Sequence, residues 1–313
     1  MIHYNLDRLG FNASSVVTVG TFDGIHVAHR KIFEALVEKG KLPGARSILI
    51  TFKPHPQEIV GKKKVELLMT EEERVERAGD LGIDEICLLK FDRDLSLISA
   101  EDFLIKYIRD RIGLSELVLG FNHRFGRNAE GTVAFAREIG RKIGFKVEAV
   151  DTVTVEGKTV SSSNIRHLLR AGDISLANKM LGRSFSVEGF VISGDRRGRL
   201  LGYPTANLRF VDERILIPAF GVYVVEVSVD KEKFAGLASV GVRPTFENEG
   251  TPLVEAWISD FDRDIYGKRI RVSFVDRLRG EIKFESAEQL IAQMDVDRRM
   301  LNEYLVKTYN KQS

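Results

Sequence analysis

The sequence holds a single cysteine, one tryptophan and only seven prolines in 313 residues. One cysteine excludes both a disulfide framework and a cysteine-rich zinc site. Cys87 lies in the apolar run Ile86-Cys87-Leu88-Leu89, where a thiol is expected to fill core volume. Charge of one sign is also missing: Lys+Arg total 47 against 45 Asp+Glu, and a cut after residue 182 leaves 27 against 25 before it and 20 against 20 after it. Neither half carries the basic footprint of a nucleic-acid binder or an acidic tail. No stretch of about 18 apolar residues occurs, and the opening Met1-Ile2-His3-Tyr4-Asn5 lacks the basic and apolar segments of a secretion signal. These absences lead us to expect a cytoplasmic protein, monomer or weak homo-oligomer, whose partners are small molecules rather than membranes or nucleic acids.

What is present is enough chain for two domains, at roughly 100–200 residues each. In the first half, short β-branched or apolar runs alternate with stretches of helical period, the pattern of crossover units on a doubly wound, Rossmann-like parallel sheet. Expected strands are Ser15–Gly20, Ser47–Phe52, Glu85–Phe91, Glu116–Gly120 and Phe145–Val150; expected helices are Val27–Glu38, Glu71–Leu81, Glu101–Arg111 and Thr132–Lys142. Thr70 with Glu73, and Ser99 with Asp102, offer both a side-chain cap and a reciprocal acid. Such sheets bind ligands at the carboxyl ends of their strands, which directs attention to the loops Thr21–His26, Lys53–Gln57 and Phe121–Gly131. After about residue 183 the rhythm becomes that of an antiparallel barrel or sandwich, with strands at Phe185–Ile192, Gly221–Ser228, Lys233–Val242, Leu253–Ser259 and Ile270–Val275. Leu290, Ile291, Met294, Met300, Leu301, Tyr304 and Leu305 recur at helical spacing and predict a closing amphipathic helix over the barrel. Ser161–Leu181 reads as two short helices joining the halves.

The run Gly20-Thr21-Phe22-Asp23-Gly24-Ile25-His26-Val27-Ala28-His29 falls between the first strand and the first helix. Glycines let backbone approach a phosphate, the amides of a helix start favour an anion, and His26 and His29 share one helical face. A His-x-x-His pair alone also suits zinc, but no further histidine or carboxylate cluster is placed to complete such a site. Neither a P-loop nor the G-x-G-x-x-G fingerprint is present.

This run resembles the G-x-F-D-G-x-H-x-G-H signature of prokaryotic bifunctional riboflavin kinase/FAD synthetases. Further blocks follow in that family's order: Phe52-Lys53-Pro54-His55-Pro56 is similar to its F-x-P-H-P loop, Gly120–Gly126 to G-x-[DN]-x-x-F-G, and Ser161–Arg166 to S-S-[ST]-x-I-R. The resemblance implies that His26 and His29 bind and polarise ATP phosphates during adenylyl transfer, with Gly20, Phe22, Asp23 and Gly24 forming the nucleotide turn. It further implies that Ser162, Ser163 and Arg166 hold the triphosphate or departing pyrophosphate, and that Asn122 and Phe125 line the flavin pocket. Ala28 stands where the family usually has Gly, and Lys53 where an acid is common.

In the second half, Gly189, Gly194, Gly198 and Gly202 punctuate a run ending in Pro204-Thr205-Ala206-Asn207, which resembles the family's riboflavin kinase marker. There Gly189, Gly194 and Gly198 are implied as phosphate-binding. Thr205 and Asn207, two apart on a strand, face one side and could present a hydroxyl and an amide oxygen to one Mg²⁺ whose remaining ligands are phosphate and water. Glu255 matches the family's acidic residue in E-x-H-x-x-D-F and is the candidate general base, with Trp257 in place of the usual His. Arg279 is implied near the flavin, an ion pair being the alternative. The resemblance implies residues 1–182 as an FMN adenylyltransferase and residues 183–313 as an antiparallel β-barrel riboflavin kinase with a terminal helix. Its substrates and products are ATP, riboflavin, FMN and FAD. A transferase using another acceptor would leave Pro204–Asn207 without a role, and a decayed flavin-storage protein would not need His26, His29, Thr205, Asn207 and Glu255 intact.

Overall fold

Ser15–Val19 (β2) and Arg46–Lys53 (β3) are buried almost throughout, as strands covered on both faces must be. Their side chains alternate between two cores. Val17, Val19, Ile48, Ile50 and Phe52 enter one, with Phe103, Leu104, Ile108 and Ile139, while Val16 and Leu49 enter the other, with Phe33, Leu36, Val75 and Ala78. The protein, analysed as a computed structural model, is described at residues 1–61, 65–193, 203–242 and 252–309. It divides into two compact units, Met1–Asn164 and Ile165–Ser313.

The first unit is a six-stranded parallel sheet in the order β1-β4-β3-β2-β5-β6, with β1 Ile2–His3, β4 Glu85–Lys90, β5 Glu116–Gly120 and β6 Lys146–Val150, followed by a two-stranded antiparallel ribbon of β7 (Thr154–Val155) and β8 (Lys158–Thr159). Helix α1 (Val27–Gly40) follows β2, α2 is the short Pro56–Val60, and α3 is Glu71–Asp80. Strand order reverses beside β2: β3 lies on one side and β5 on the other. The turn from β2 into α1 therefore sits at the topological switch point, where open α/β sheets bind ligands. Thr70 caps α3 by accepting from the Glu73 amide at 3.1 Å, but the Glu73 carboxylate pairs with Arg77 at 2.8 Å, so the reciprocal half of the expected capping box is not made. Ser99 likewise caps its helix through the Asp102 amide. The expected helix over 101–111 is not uniform: Phe103–Arg109 is wound in the wider i→i+5 form between α turns at Ala100–Asp102 and Asp110–Ile112. Cys87 is fully buried in the sheet core, and desolvation pushes its thiol up to about 12.

In the second unit, β9 (Phe185–Ile192), β10 (Thr205–Phe210), β11 (Gly221–Val229), β12 (Glu232–Val242), β13 (Pro252–Ile258) and β14 (Arg269–Arg279) close into an antiparallel barrel in the order β10-β13-β12-β11-β14-β9. This decides between barrel and sandwich. Tyr223, Phe185 and Phe274 are fully buried and pack as one aromatic group, Tyr223 meeting Phe274 edge-on at 5.2 Å. Two short helices, Ser162–Ala171 and Ile174–Leu181, lead into the barrel, and Asn178 fixes the second by donating to the Phe274 carbonyl and accepting from the Phe185 amide. The closing helix is Ala287–Tyr309. Its grip on the barrel is narrower than its periodicity suggests: Leu301 is buried against Val224, Leu237 and Trp257, whereas Met300 and Leu305 are exposed.

Candidate active sites

On the sheet domain, the β2–α1 turn is tight enough that Phe22, Gly24 and Ile25 all adopt positive φ, 48°, 89° and 35°. A Cβ at Gly20 would meet the Phe22 ring at 2.9 Å, so glycine is required there by the turn itself. Asp23 points inward, both carboxylate oxygens accepting from the buried Leu68 amide at 3.0 and 3.1 Å, and its carbonyl accepts from the Ser162 hydroxyl at 2.8 Å. Asp23 thus shapes the turn, and its carboxylate would repel a phosphate rather than bind one. Phe22 packs on Phe33 at 4.8 Å and edge-on against His29 at 5.0 Å.

His26 caps α1, its Nδ1 accepting from the His29 amide at 3.2 Å, and the two imidazoles stack with centroids 3.5 Å apart. Burial holds His29 well below the usual histidine range, helped by His26, His123 and the Arg74 guanidinium, so the ring is neutral near pH 7. Its Nδ1 is buried and has no hydrogen-bond partner among the described residues. Arg74, a buried cation, donates to the carbonyls of Thr21 at 2.7 Å and Phe52 at 2.8 Å, pinning both loops at the strand ends. Among the described residues no group of three or more His, Cys, Asp or Glu is arranged to hold a metal ion. The donor set here suits an anion.

The structure thus brings His26, His29, Ser162 and the Gly20–Gly24 turn together. Ser161 is the capping residue, accepting from the Asn164 amide at 3.2 Å, while Ser163 is exposed. Arg166 falls in the second compact unit, on the helix that Ser161 caps. Asn122 is exposed, and Phe125 is buried in the sheet core beside Phe103, so the two do not line one surface. Sequence reading missed Arg74, an unremarkable letter on an acidic helix, and His123, which occupies an open position of its block.

On the barrel, β10 and β13 pair Asn207 with Glu255 and Thr205 with Trp257. Directly opposed residues share a face, so all four side chains stand on one side. The Thr205 hydroxyl donates to Glu255 Oε2 at 3.5 Å, and Asn207 is only 5% exposed with a buried Oδ1 that has no partner among the described residues. A cavity of about 480 Å³ opens beside Thr205 and Asn207, walled further by Phe261, Arg263 and Tyr266. Trp257 meets Tyr203 edge-on at 5.8 Å and joins the apolar contact with the terminal helix. Arg279 makes a two-pronged ion pair at 2.8–3.2 Å with Asp297, which is 2% exposed. That pair ties β14 to the terminal helix. Gly189 lies inside β9, where a Cβ would come within 2.8 Å of the Arg209 carbonyl, so close strand packing explains it; Gly194 and Gly198 lie outside the described residues.

The FAD synthetase family model matches residues 10–164 and the riboflavin kinase family model residues 181–305. With these two models matched in order to a parallel-sheet unit and an antiparallel barrel, the class is a two-domain ATP-dependent transferase of flavin synthesis. Bifunctional riboflavin kinase/FMN adenylyltransferases of Listeria monocytogenes and Pseudomonas fluorescens are 33% and 35% identical, covering 94% and 90% of this chain and 93% and 90% of their own lengths. The Bacillus subtilis enzyme of that name is 32% identical over 91% of each chain. A solved structure titled macrolide-efflux protein from Streptococcus pneumoniae superposes with a TM-score of 0.86 at 31% identity, over 96% of this chain and 98% of that one. The efflux title belongs to that protein; no helix described in this chain is long and apolar enough to cross a membrane. The chain belongs to the bifunctional riboflavin kinase/FMN adenylyltransferase family.

Proposed function

We infer that the barrel phosphorylates riboflavin to FMN with ATP, and that the sheet domain transfers AMP from a second ATP to FMN, giving FAD and pyrophosphate. The observation that supports this is that each compact unit has its own cluster of polar side chains on a different scaffold: stacked imidazoles at a strand-to-helix turn in one, Thr205, Asn207 and Glu255 on one barrel face in the other. The division of labour follows residues 1–182 and 183–313.

In the sheet domain, His26 and His29 donate to the α-phosphate, where charge grows as the FMN phosphate attacks and pyrophosphate leaves. A neutral imidazole at His29 suits this task because it enters uncharged and costs less to bury than a cation. Ser162 and Ser163 hold the outgoing pyrophosphate. Asn122, exposed at the end of β5, contacts the flavin, with Phe125 behind it in the sheet core. In the barrel, Glu255 takes the proton of the ribityl hydroxyl. Thr205 and Asn207 are the residues to hold Mg²⁺, and the Asn207 Oδ1, without a partner among the described residues, fits a cation. When bound, Mg²⁺ neutralises charge on the phosphate oxygens. Arg279 holds the terminal helix beside the flavin. We place the enzyme in the cytoplasm, as a monomer or weak homo-oligomer.

Incubating the chain with riboflavin, ATP and Mg²⁺ and separating the flavins by chromatography tests this reading. FMN should appear first and FAD after it; accumulation of neither overturns it.

A further inference from the structure

The sheet-domain site holds a third imidazole to which the shared blocks assign nothing. His123 follows β5, the strand beside β2 at the switch point, and its amide donates to the Gly120 carbonyl at 2.9 Å in a tight turn. The ring lies parallel to Phe125, 18° between planes and 6.0 Å between centroids, and Phe125 is itself anchored in the sheet core. His123 is thereby held in place. It lies near enough to His29 to depress that residue's basicity, and burial pushes His123 itself down to about 4, so it is neutral at physiological pH.

Two buried ring nitrogens of this one neighbourhood, Nδ1 of His29 and Nε2 of His123, have no hydrogen-bond partner among the described residues. Buried polar atoms are rarely left so, and a pair of them at a strand-end site points to a ligand that satisfies both. The charged neighbour acting on His29 is the cationic Arg74. Neutral N–H donors next to a buried cation match an anionic oxygen.

We propose that His123 is a substrate-binding residue of adenylyl transfer, its Nε2–H donating to a phosphate oxygen of the bound reactants beside His29. This rests on the adenylyltransferase reading of the domain. The oxygen belongs either to ATP or to FMN, which share the chemistry.

The full chain with His123→Phe, which keeps an aromatic ring beside Phe125, and with His123→Gln, which restores a donor, is assayed for FMN to FAD and for riboflavin to FMN. His123→Phe should lower kcat/KM for FAD formation about 10- to 100-fold and leave the riboflavin reaction within about twofold, with thermal unfolding of the variant reporting that the sheet domain is folded. His123→Gln should recover several-fold over His123→Phe. A raised KM for ATP places the oxygen on the nucleotide, and a raised KM for FMN places it on the flavin. FAD formation at the wild-type rate in His123→Phe, or an equal fall in both variants, overturns the proposal. Wild-type FAD formation in the same run tests the parent reading separately, since only the ratio of variant to wild type bears on His123.

Discussion

The two ends of this chain meet phosphate with opposite chemistry. The sheet domain builds its site from nitrogen: two stacked imidazoles, a third nearby, and a buried guanidinium that fixes the loops. The barrel builds its site from oxygen, a hydroxyl, an amide carbonyl and a carboxylate on one strand face. Nitrogen donors can stabilise a phosphate directly, whereas oxygen acceptors need a cation between them and the phosphate. The near-equal count of basic and acidic residues in each half is compatible with two polyanion sites, because uncharged N–H donors beside the buried Arg74 serve one and a bound cation would serve the other.

Variants that separate the two sites show how independent they are. The largest effect is expected for Glu255→Gln. Loss of the general base should slow riboflavin phosphorylation about 10²- to 10⁴-fold, while supplied FMN is still converted to FAD, both read by chromatography. His29→Ala is next. Losing one preorganised donor should cost about 3–4 kcal/mol of transition-state stabilisation, on the order of 10²- to 10³-fold in FAD formation, with FMN accumulating from riboflavin. Breaking the Arg279–Asp297 pair by Arg279→Met leaves a nearly inaccessible carboxylate unpaired and should destabilise the barrel by about 3–5 kcal/mol, seen in denaturant unfolding. A loss of flavin affinity with unchanged stability would instead give Arg279 a ligand role.

A smaller effect separates the domains by pH. His123 has a folded-state pKa lowered from the usual 6.5 to about 4. The unfolded chain therefore binds more protons in that interval, so stability is present above about pH 6.5 and is lost as pH falls towards 4. The slope is about 1.4 kcal/mol per pH unit for one such group, and His29, also lowered by burial, acts in the same direction. Thermal melts between pH 7.5 and 5 should show the sheet domain weakening, and His123→Phe should flatten the slope. Thiol labelling of Cys87 is the least perturbing test: with the pKa raised to about 12, reaction in the folded state should be slow and should accelerate on unfolding.

Much of this contrast was legible as letters. Period-two reasoning placed Thr205 and Asn207 on one face of a single strand, and the strand-turn-helix context of Gly20–His29 located the switch-point site. What sequence spacing could not show was register. That Asn207 faces Glu255 depends on how β10 and β13, about fifty residues apart, slide along one another. For Arg279 an ion pair is an open alternative, but nothing in the letters picks Asp297 as its partner or marks the pair as buried. Burial also decided matters that composition left open: Asp23 turned inward to the Leu68 amide, Phe125 went to the core, and Met300 and Leu305 stayed outside on a helix whose spacing marked them for packing. β1 is two residues long and pairs with β4, too short to leave a periodic signal.

The central claim is that two ATP-dependent reactions reside on separate scaffolds of one chain. It is tested most directly by giving riboflavin, ATP and Mg²⁺ to Glu255→Gln, to His29→Ala and to an equal mixture of the two, and following the flavins with time. His29→Ala alone should stop at FMN, Glu255→Gln alone should leave riboflavin unchanged, and the mixture should make FAD. If either substitution abolishes both reactions in a chain that remains folded, the two activities share one site and the account is contradicted.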